Sequence, residues 1–135
     1  AVSDKLPSAQ TRAAMTEARA VARNRRSNTM PLSREFKETV AARVQKDPAF
    51  AQALLDEAIT LFVNGEPESA KLILRDLVNA TVGFEALAEE IHKPAKSLHR
   101  MLSRSGNPTM SNISAVFAAI KRALKVEVHT QIVTA

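Results

Sequence analysis

The scarcity of turn-forming residues is the feature that most restricts how this chain can fold. Its 135 residues include only three glycines and six prolines, too few for the many tight turns of a multi-stranded β fold. Apolar residues instead recur at spacings of three and four, which is the period of an amphipathic helix. The sequence therefore predicts an all-α fold in which several helices pack as a bundle.

Three helices are predicted for residues 31–80, which form a support region. Ser33 is a candidate N-cap for the first helix, and Asp47-Pro48 supplies a cap and a first-turn proline for the second. Gly65 is expected to end the second helix, and Pro67 begins the third. The apolar faces of the three helices comprise Phe36, Val40 and Val44, then Phe50, Leu54, Ala58, Leu61 and Phe62, then Ala70, Ile73, Leu74, Leu77 and Val78.

Residues 81–125 are predicted to form two short helices followed by a longer one. Gly83 interrupts the helical pattern, and short helices follow over residues 84–91 and 94–102. Residues 103–108 have the composition of a turn. Thr109 is the expected cap of the last helix. The apolar face of that helix comprises Ile113, Val116, Phe117, Ile120 and Leu124.

The two ends of the chain differ from this helical middle. Residues 1–30 form a basic N-terminal extension, in which a weak stripe of alanines predicts a helix that needs a partner surface. In residues 126–135, Val126, Val128 and Ile132 follow a period of two, which predicts a short C-terminal β-strand. Because a lone strand needs a neighbour, we expect this strand to contact its copy in a homodimer.

Positive charge is concentrated in particular parts of the chain. The net charge of +5 divides into +4 for residues 1–30, −2 for residues 31–80 and +3 for residues 81–135. No carboxylate lies between Ile91 and Val126, whereas seven basic residues do. Such a block favours a surface that binds a polyanion, although a solvated basic surface is the alternative. The seven are Lys93, Lys96, Arg100, Arg104, Lys121, Arg122 and Lys125.

The pair of short helices has the pattern of a DNA-reading unit. Leu87, Ile91, Leu98 and Met101 are the apolar positions that hold the pair together, and Ala88 is small enough for a close crossing. The second helix then presents a short, basic, hydrogen-bonding face to solvent, as a helix that enters the major groove does. A helical hairpin inside an ordinary bundle is the alternative. The outward positions are Ala95, Lys96, Ser97, His99 and Arg100.

Residues 81–128 resemble the helix-turn-helix domain of the phage-repressor/Cro (Xre-type) superfamily, most closely the small regulators known as addiction-module antidotes. The resemblance rests on Leu87-Ala88-Glu89, on Ser-Leu-His-Arg-Met-Leu-Ser over residues 97–103 and on Gly-Asn-Pro-Thr-Met over residues 106–110. It departs at the turn, where His92 replaces the usual glycine and Lys93 replaces an apolar residue. The resemblance implies DNA binding as a dimer, transcriptional repression and a toxin as partner.

Together these features assign the candidate DNA-binding residues and leave little room for other chemistry. The chain has no cysteine, no Gly-x-Ser-x-Gly elbow and no glycine-rich phosphate loop, and its three histidines lack companion ligands. We therefore expect no enzyme, no catalytic residue, no cofactor and no metal ion. The candidate DNA-binding residues are Lys93, Ala95, Lys96, Ser97, His99, Arg100, Arg104, Asn107 and Thr109.

Three functional hypotheses remain open at this point. The first is a sequence-specific regulator that binds double-stranded DNA as a homodimer. The second is an antitoxin that neutralises a small protein toxin and autoregulates its operon, and the third is an interaction module without a nucleic-acid role. No apolar stretch approaches the roughly 18 residues that span a bilayer, and no secretory signal is evident, so we expect a cytoplasmic protein.

Overall fold

The computed structural model describes residues 9–27 and 34–135 of the chain. In this part of the chain the regular secondary structure is entirely α-helical, which confirms the all-α prediction. None of the described helices is both long and apolar enough to cross a membrane. The helices are α1 (Ala9–Ser27), α2 (Arg34–Lys46), α3 (Pro48–Val63), α4 (Pro67–Ala80), α5 (Phe84–Ile91), α6 (Ala95–Met101) and α7 (Met110–Leu124).

Local capping chemistry sets several of these helix boundaries. The Asp47 carboxylate accepts hydrogen bonds from the backbone N–H groups of Ala49 and Phe50, at 3.1 and 3.4 Å, and so begins α3 as predicted. After α3, Gly65 adopts a φ of 88°, a left-handed conformation that costs glycine little and ends the helix. The predicted N-cap Ser33 and the side chain of Phe36 lie outside the described residues.

Helix α3 lies at the centre of the bundle. It packs most extensively against α1 and α4, while α2 covers α4 and α7 contacts both α3 and α5. Phe50 and Leu54 of α3 and Ile73 and Leu77 of α4 are almost completely buried between these helices. On the other side, Phe62 and Phe117 meet edge to face with ring centroids 6.1 Å apart, which joins α3 to α7. The carboxyl-terminal helices are thus attached to the core that the support region forms.

Helix α1 finds its partner surface within the same chain. Ala14, Ala18 and Ala22 are buried where α1 packs against α3 and α4. Small side chains let helices approach closely but bury little apolar area, so their contribution to stability is modest. The alanine stripe therefore predicted the helix, and the surface that it needs belongs to the bundle itself.

A buried ion pair joins the carboxyl-terminal end of α1 to α4. The Arg25 Nε atom lies 3.1 Å from a carboxylate oxygen of Asp76, and both side chains are only 4% exposed. Burial raises the pKa of Asp76 to about 6, even though the positive charges of Arg25, Lys37 and Arg75 act to lower it. Arg25 is consequently a structural residue of the bundle and does not add to the exposed positive charge of the basic N-terminal extension.

The last residues of the chain do not form the predicted strand. Residues 126–135 have neither helical nor strand structure. Val126 packs partly against the core, whereas Val128, Ile132 and Val133 are exposed. A strand forms only when its backbone groups pair with a neighbouring strand, and residues 9–27 and 34–135 supply none. Val128, Ile132 and Val133 are therefore exposed in the single chain.

Candidate nucleic-acid interface

Two short helices and a tight turn place the candidate residues. After α5, His92 adopts the left-handed conformation with φ 57° and ψ 45°, and its N–H donates to the carbonyl of Ala88. The N–H of Lys93 donates to the same carbonyl at 3.1 Å. His92 thus takes a conformation that glycine adopts more readily, at a cost of about 1 kcal/mol. Pro94 then leads directly into α6.

Helix α6 has one face in the core and another in solvent. Leu98 and Leu102 are completely buried, and Met101 packs partly against the core. On α5, Leu87 is completely buried, and Ala88 and Ile91 are packed against the same cluster. All four apolar positions that were predicted to hold the helix pair together therefore pack in or against the core, with Ala88 as the small residue among them, and Leu102 is an additional one. Lys96, His99 and Arg100 are exposed, and Ala95 and Ser97 are half-buried.

His99 is held in place by an aromatic neighbour. Its imidazole stacks on the buried ring of Phe84, with centroids 3.9 Å apart and ring planes 17° from parallel. Partial burial lowers the pKa of His99, and the charges of Arg75 and Lys37 lower it further, while Glu85 acts to raise it. The lowered pKa favours the uncharged imidazole, which has one N–H donor and one acceptor nitrogen. This stack was not foreseen from the sequence.

The loop of residues 102–109 carries the remaining candidates beside α6. Arg104, Asn107 and Thr109 are all exposed. The Thr109 hydroxyl accepts a hydrogen bond from the N–H of Asn112 at 3.1 Å and so begins α7 as predicted. Its role as a cap leaves the hydroxyl proton free to donate to another group. Thr109 is accordingly first a structural residue, and Arg104 and Asn107 are the freer side chains of this loop.

The seven basic residues of the acid-free segment fall into two groups. Lys93, Lys96, Arg100 and Arg104 are exposed on α6 and the turns that flank it, and we call these four the basic face. The other three lie at the carboxyl-terminal end of α7, where cations favour the negative end of the helix dipole. Among them Arg122 forms an ion pair with Glu90 of α5. Only the basic face therefore offers several exposed cations on one short helix and its flanks.

Lys71, whose side chain contacts the loop that follows α6, was not identified from the sequence. It lies on α4, is 5% exposed, and its ammonium donates to the backbone carbonyls of Arg104 and Gly106. A lysine in an apolar helix face gives no local sign of such a contact. Among the described residues, no group of three or more histidine, cysteine or acidic side chains is placed to hold a metal ion.

Comparison with known proteins adds no relative. Neither a protein-family model, nor a curated protein, nor a solved structure matches this chain.

Proposed function

We propose that this chain is a sequence-specific regulator of transcription, a repressor that binds double-stranded DNA as a homodimer through a helix-turn-helix formed by α5 and α6. The observation that carries the proposal is the basic face. Helix α6 exposes Lys96, His99 and Arg100 to solvent, and its opposite side is buried in the core through Leu98 and Leu102. A rigidly supported, exposed, basic helix is what base readout in the major groove requires.

The side chains on and beside the proposed recognition helix have different roles in binding. Arg100 has the planar fork that pairs with the O6 and N7 atoms of guanine, whereas Lys93, Lys96 and Arg104 suit phosphate oxygens. Neutral His99 and Ser97 add hydrogen bonds without charge. Phosphate contacts position a protein on DNA and base contacts give sequence preference, so this arrangement supports specific binding.

Changing Arg100 separates base readout from phosphate contact. We expect Arg100→Ala to lose about 1–3 kcal/mol of binding free energy for a duplex that the unaltered protein has selected from a random library. Arg100→Lys keeps the charge but loses the fork, and it should relax the preference at one base pair while retaining binding to non-specific DNA. Fluorescence anisotropy on the selected duplex and on single-base variants measures both effects. Uniform weakening on every duplex would make Arg100 a phosphate contact.

The homodimer is proposed to form through the carboxyl-terminal tail. Val128, Ile132 and Val133 are exposed, and dyad-related copies of residues 126–133 can pair as antiparallel strands that cover each other's edges. The two recognition helices would then lie about one DNA turn apart, roughly 34–36 Å. Removing residues 126–135 should convert the dimer to a monomer, as measured by light scattering. A truncated chain that dimerises with unchanged affinity would show that the interface lies elsewhere.

The exposed apolar residues also favour a second candidate function, neutralisation of a small protein toxin. Ile132 and Val133 are 97% and 75% exposed, and Val63 and Met110 are exposed at 73% and 76%. Isolated apolar residues are normal on a surface, but a tail of them is a feature of segments that bind a partner protein. Co-expression with the product of a neighbouring gene, followed by purification of a stable complex, distinguishes this candidate from a regulator that acts alone.

A further inference from the structure

Lys71 occupies an unusual environment for a lysine. It lies on α4 between buried residues, and only 5% of its surface is exposed. Lysine is rarely buried to this extent, because its ammonium loses its hydration and must be given hydrogen-bond acceptors in return. Burial lowers the pKa of Lys71, while the charge of Glu68 acts to raise it. A group that is this costly to bury is expected to have a specific task.

The acceptors of Lys71 all belong to the loop that follows α6. Its Nζ donates to the carbonyl of Arg104 at 3.1 Å and to the carbonyl of Gly106. These residues are 33 and 35 positions away in the sequence, so the contact ties the support region to the candidate interface. Buried carbonyl groups need donors, and a cation makes stronger hydrogen bonds to them than a neutral donor does.

The loop is fixed from its other side by the end of α6. The N–H of Gly106 donates to the carbonyl of Ser103 at 3.0 Å, and the Ser103 hydroxyl donates to the carbonyl of Arg100 at 2.7 Å. A Cβ atom on residue 106 would lie 2.5 Å from the carbonyl oxygen of Met101 and closer still to that of Arg100. Only glycine therefore allows the loop backbone to approach α6 this closely.

We propose that Lys71 is a positioning residue for DNA binding, which holds the loop of residues 102–109 against α6 and thereby fixes Arg104 and Asn107 relative to the recognition helix. Because the carbonyls of Arg104 and Gly106 point towards the buried ammonium, the side chains of Arg104 and Asn107 remain in solvent. A side chain held in its binding orientation loses less conformational freedom when the complex forms. This inference rests on the proposed function.

The test compares two lysine variants of equal charge. Lys71→Met keeps the length of the side chain and removes its donors, whereas Lys46→Met removes the same charge from an exposed site on α2. For the selected duplex we expect Lys71→Met to weaken binding about 10-fold to 100-fold, as the loss of one to two phosphate contacts per dimer does. Lys46→Met should stay within about twofold of the unaltered protein, as a distant surface charge does. Equal losses in the two variants, or a Lys71→Met affinity that is unchanged, would overturn the proposal.

Nuclear magnetic resonance distinguishes failure of this inference from failure of the proposed function. In the unaltered protein, the buried ammonium of Lys71 should give a slowly exchanging ¹H–¹⁵N signal, and Lys71→Met should shift the amide signals of Ser103 and Gly106. Gly106→Ala, which disturbs the loop from the other side, should abolish the ammonium signal and weaken DNA binding similarly. If the unaltered protein binds no DNA, the proposed function fails and Lys71 has no role in DNA binding. Unshifted loop amides in Lys71→Met would contradict the anchoring itself.

Discussion

The Arg25→Met variant is expected to lose about 3–5 kcal/mol of unfolding free energy at pH 7, the cost of leaving one member of a buried ion pair without its partner. Arg25 and Asp76 are each 4% exposed, so water cannot replace the missing guanidinium. The variant should also loosen α1, because the alanines that pack this helix against the bundle bury little area. Urea denaturation measures the stability, and limited proteolysis reports on α1.

The loss should depend on pH in a defined direction. The pKa of Asp76 is about 6 in the folded protein, above the ordinary value of an aspartate, and Arg25 is one of the charges that lower it. In Arg25→Met the pKa therefore rises further, so the folded variant binds a proton more strongly than the unfolded chain does. The contribution of Asp76 protonation to the stability of the variant is therefore present at acidic pH and is lost as the pH rises through the folded pKa. The deficit relative to the unaltered protein should be larger at pH 7 than at pH 5. A deficit that is the same at pH 5 and pH 7 would contradict this account.

Two further variants serve as controls for the ion pair. The double variant Arg25→Met, Asp76→Asn removes the uncompensated carboxylate and should recover part of the loss at pH 7. Glu17→Gln breaks the ion pair between Glu17 of α1 and Arg43 of α2. This pair also holds α1, but both side chains are substantially exposed to solvent. That substitution should cost no more than about 1 kcal/mol. If Glu17→Gln were as harmful as Arg25→Met, burial would not be the cause of the effect.

The largest effect on binding is expected from the double variant Lys96→Gln, Arg100→Gln. Each phosphate contact contributes a factor of about eight at 0.1 M salt, so a dimer that loses the phosphate contact of Lys96 in both subunits binds about 60-fold more weakly. Affinity for the selected duplex should therefore fall by about 10² to 10⁴, because any contact to a base is lost as well. Fluorescence anisotropy at constant salt measures this change, and circular dichroism verifies the fold, since both side chains are exposed.

A matched variant distinguishes a specific surface from overall charge. Arg12→Gln, Lys46→Gln removes the same two charges from exposed positions on α1 and α2. If DNA binds at the basic face, this control should lose much less affinity than the variant of α6. Equal losses would mean that binding follows the net charge of the protein and that α6 is not the recognition helix.

The elements that the sequence predicted best are those determined by local interactions. Asp47 and Thr109 cap the helices that they precede, and Gly65 ends α3, since caps and left-handed residues act within a few positions. The buried Leu87 and Leu98 follow from helical periodicity alone. His92, which the sequence analysis gave as a departure from the pattern of the turn, adopts the left-handed conformation.

Contacts between distant parts of the chain could not be predicted in this way. Lys71 and Arg25 resemble surface residues in the sequence, because nothing local indicates the carbonyls and the carboxylate that they meet across the bundle. The stack of His99 on Phe84 likewise depends on how α5 and α6 cross. The alternating apolar residues of the carboxyl-terminal tail predicted a strand, but a strand forms only beside another strand, and the described part of this chain contains none.

The central claim, that the protein binds DNA through the basic face, is tested most directly by the salt dependence of binding. If three or four cations of each subunit touch phosphates, a dimer neutralises about six to eight, and the logarithm of the association constant plotted against the logarithm of the salt concentration has a slope of about −5 to −7. Titration of the selected duplex between about 50 and 200 mM salt measures this slope. The account predicts a slope in that range, shallower in Lys96→Gln, Arg100→Gln, and a slope near zero would contradict it.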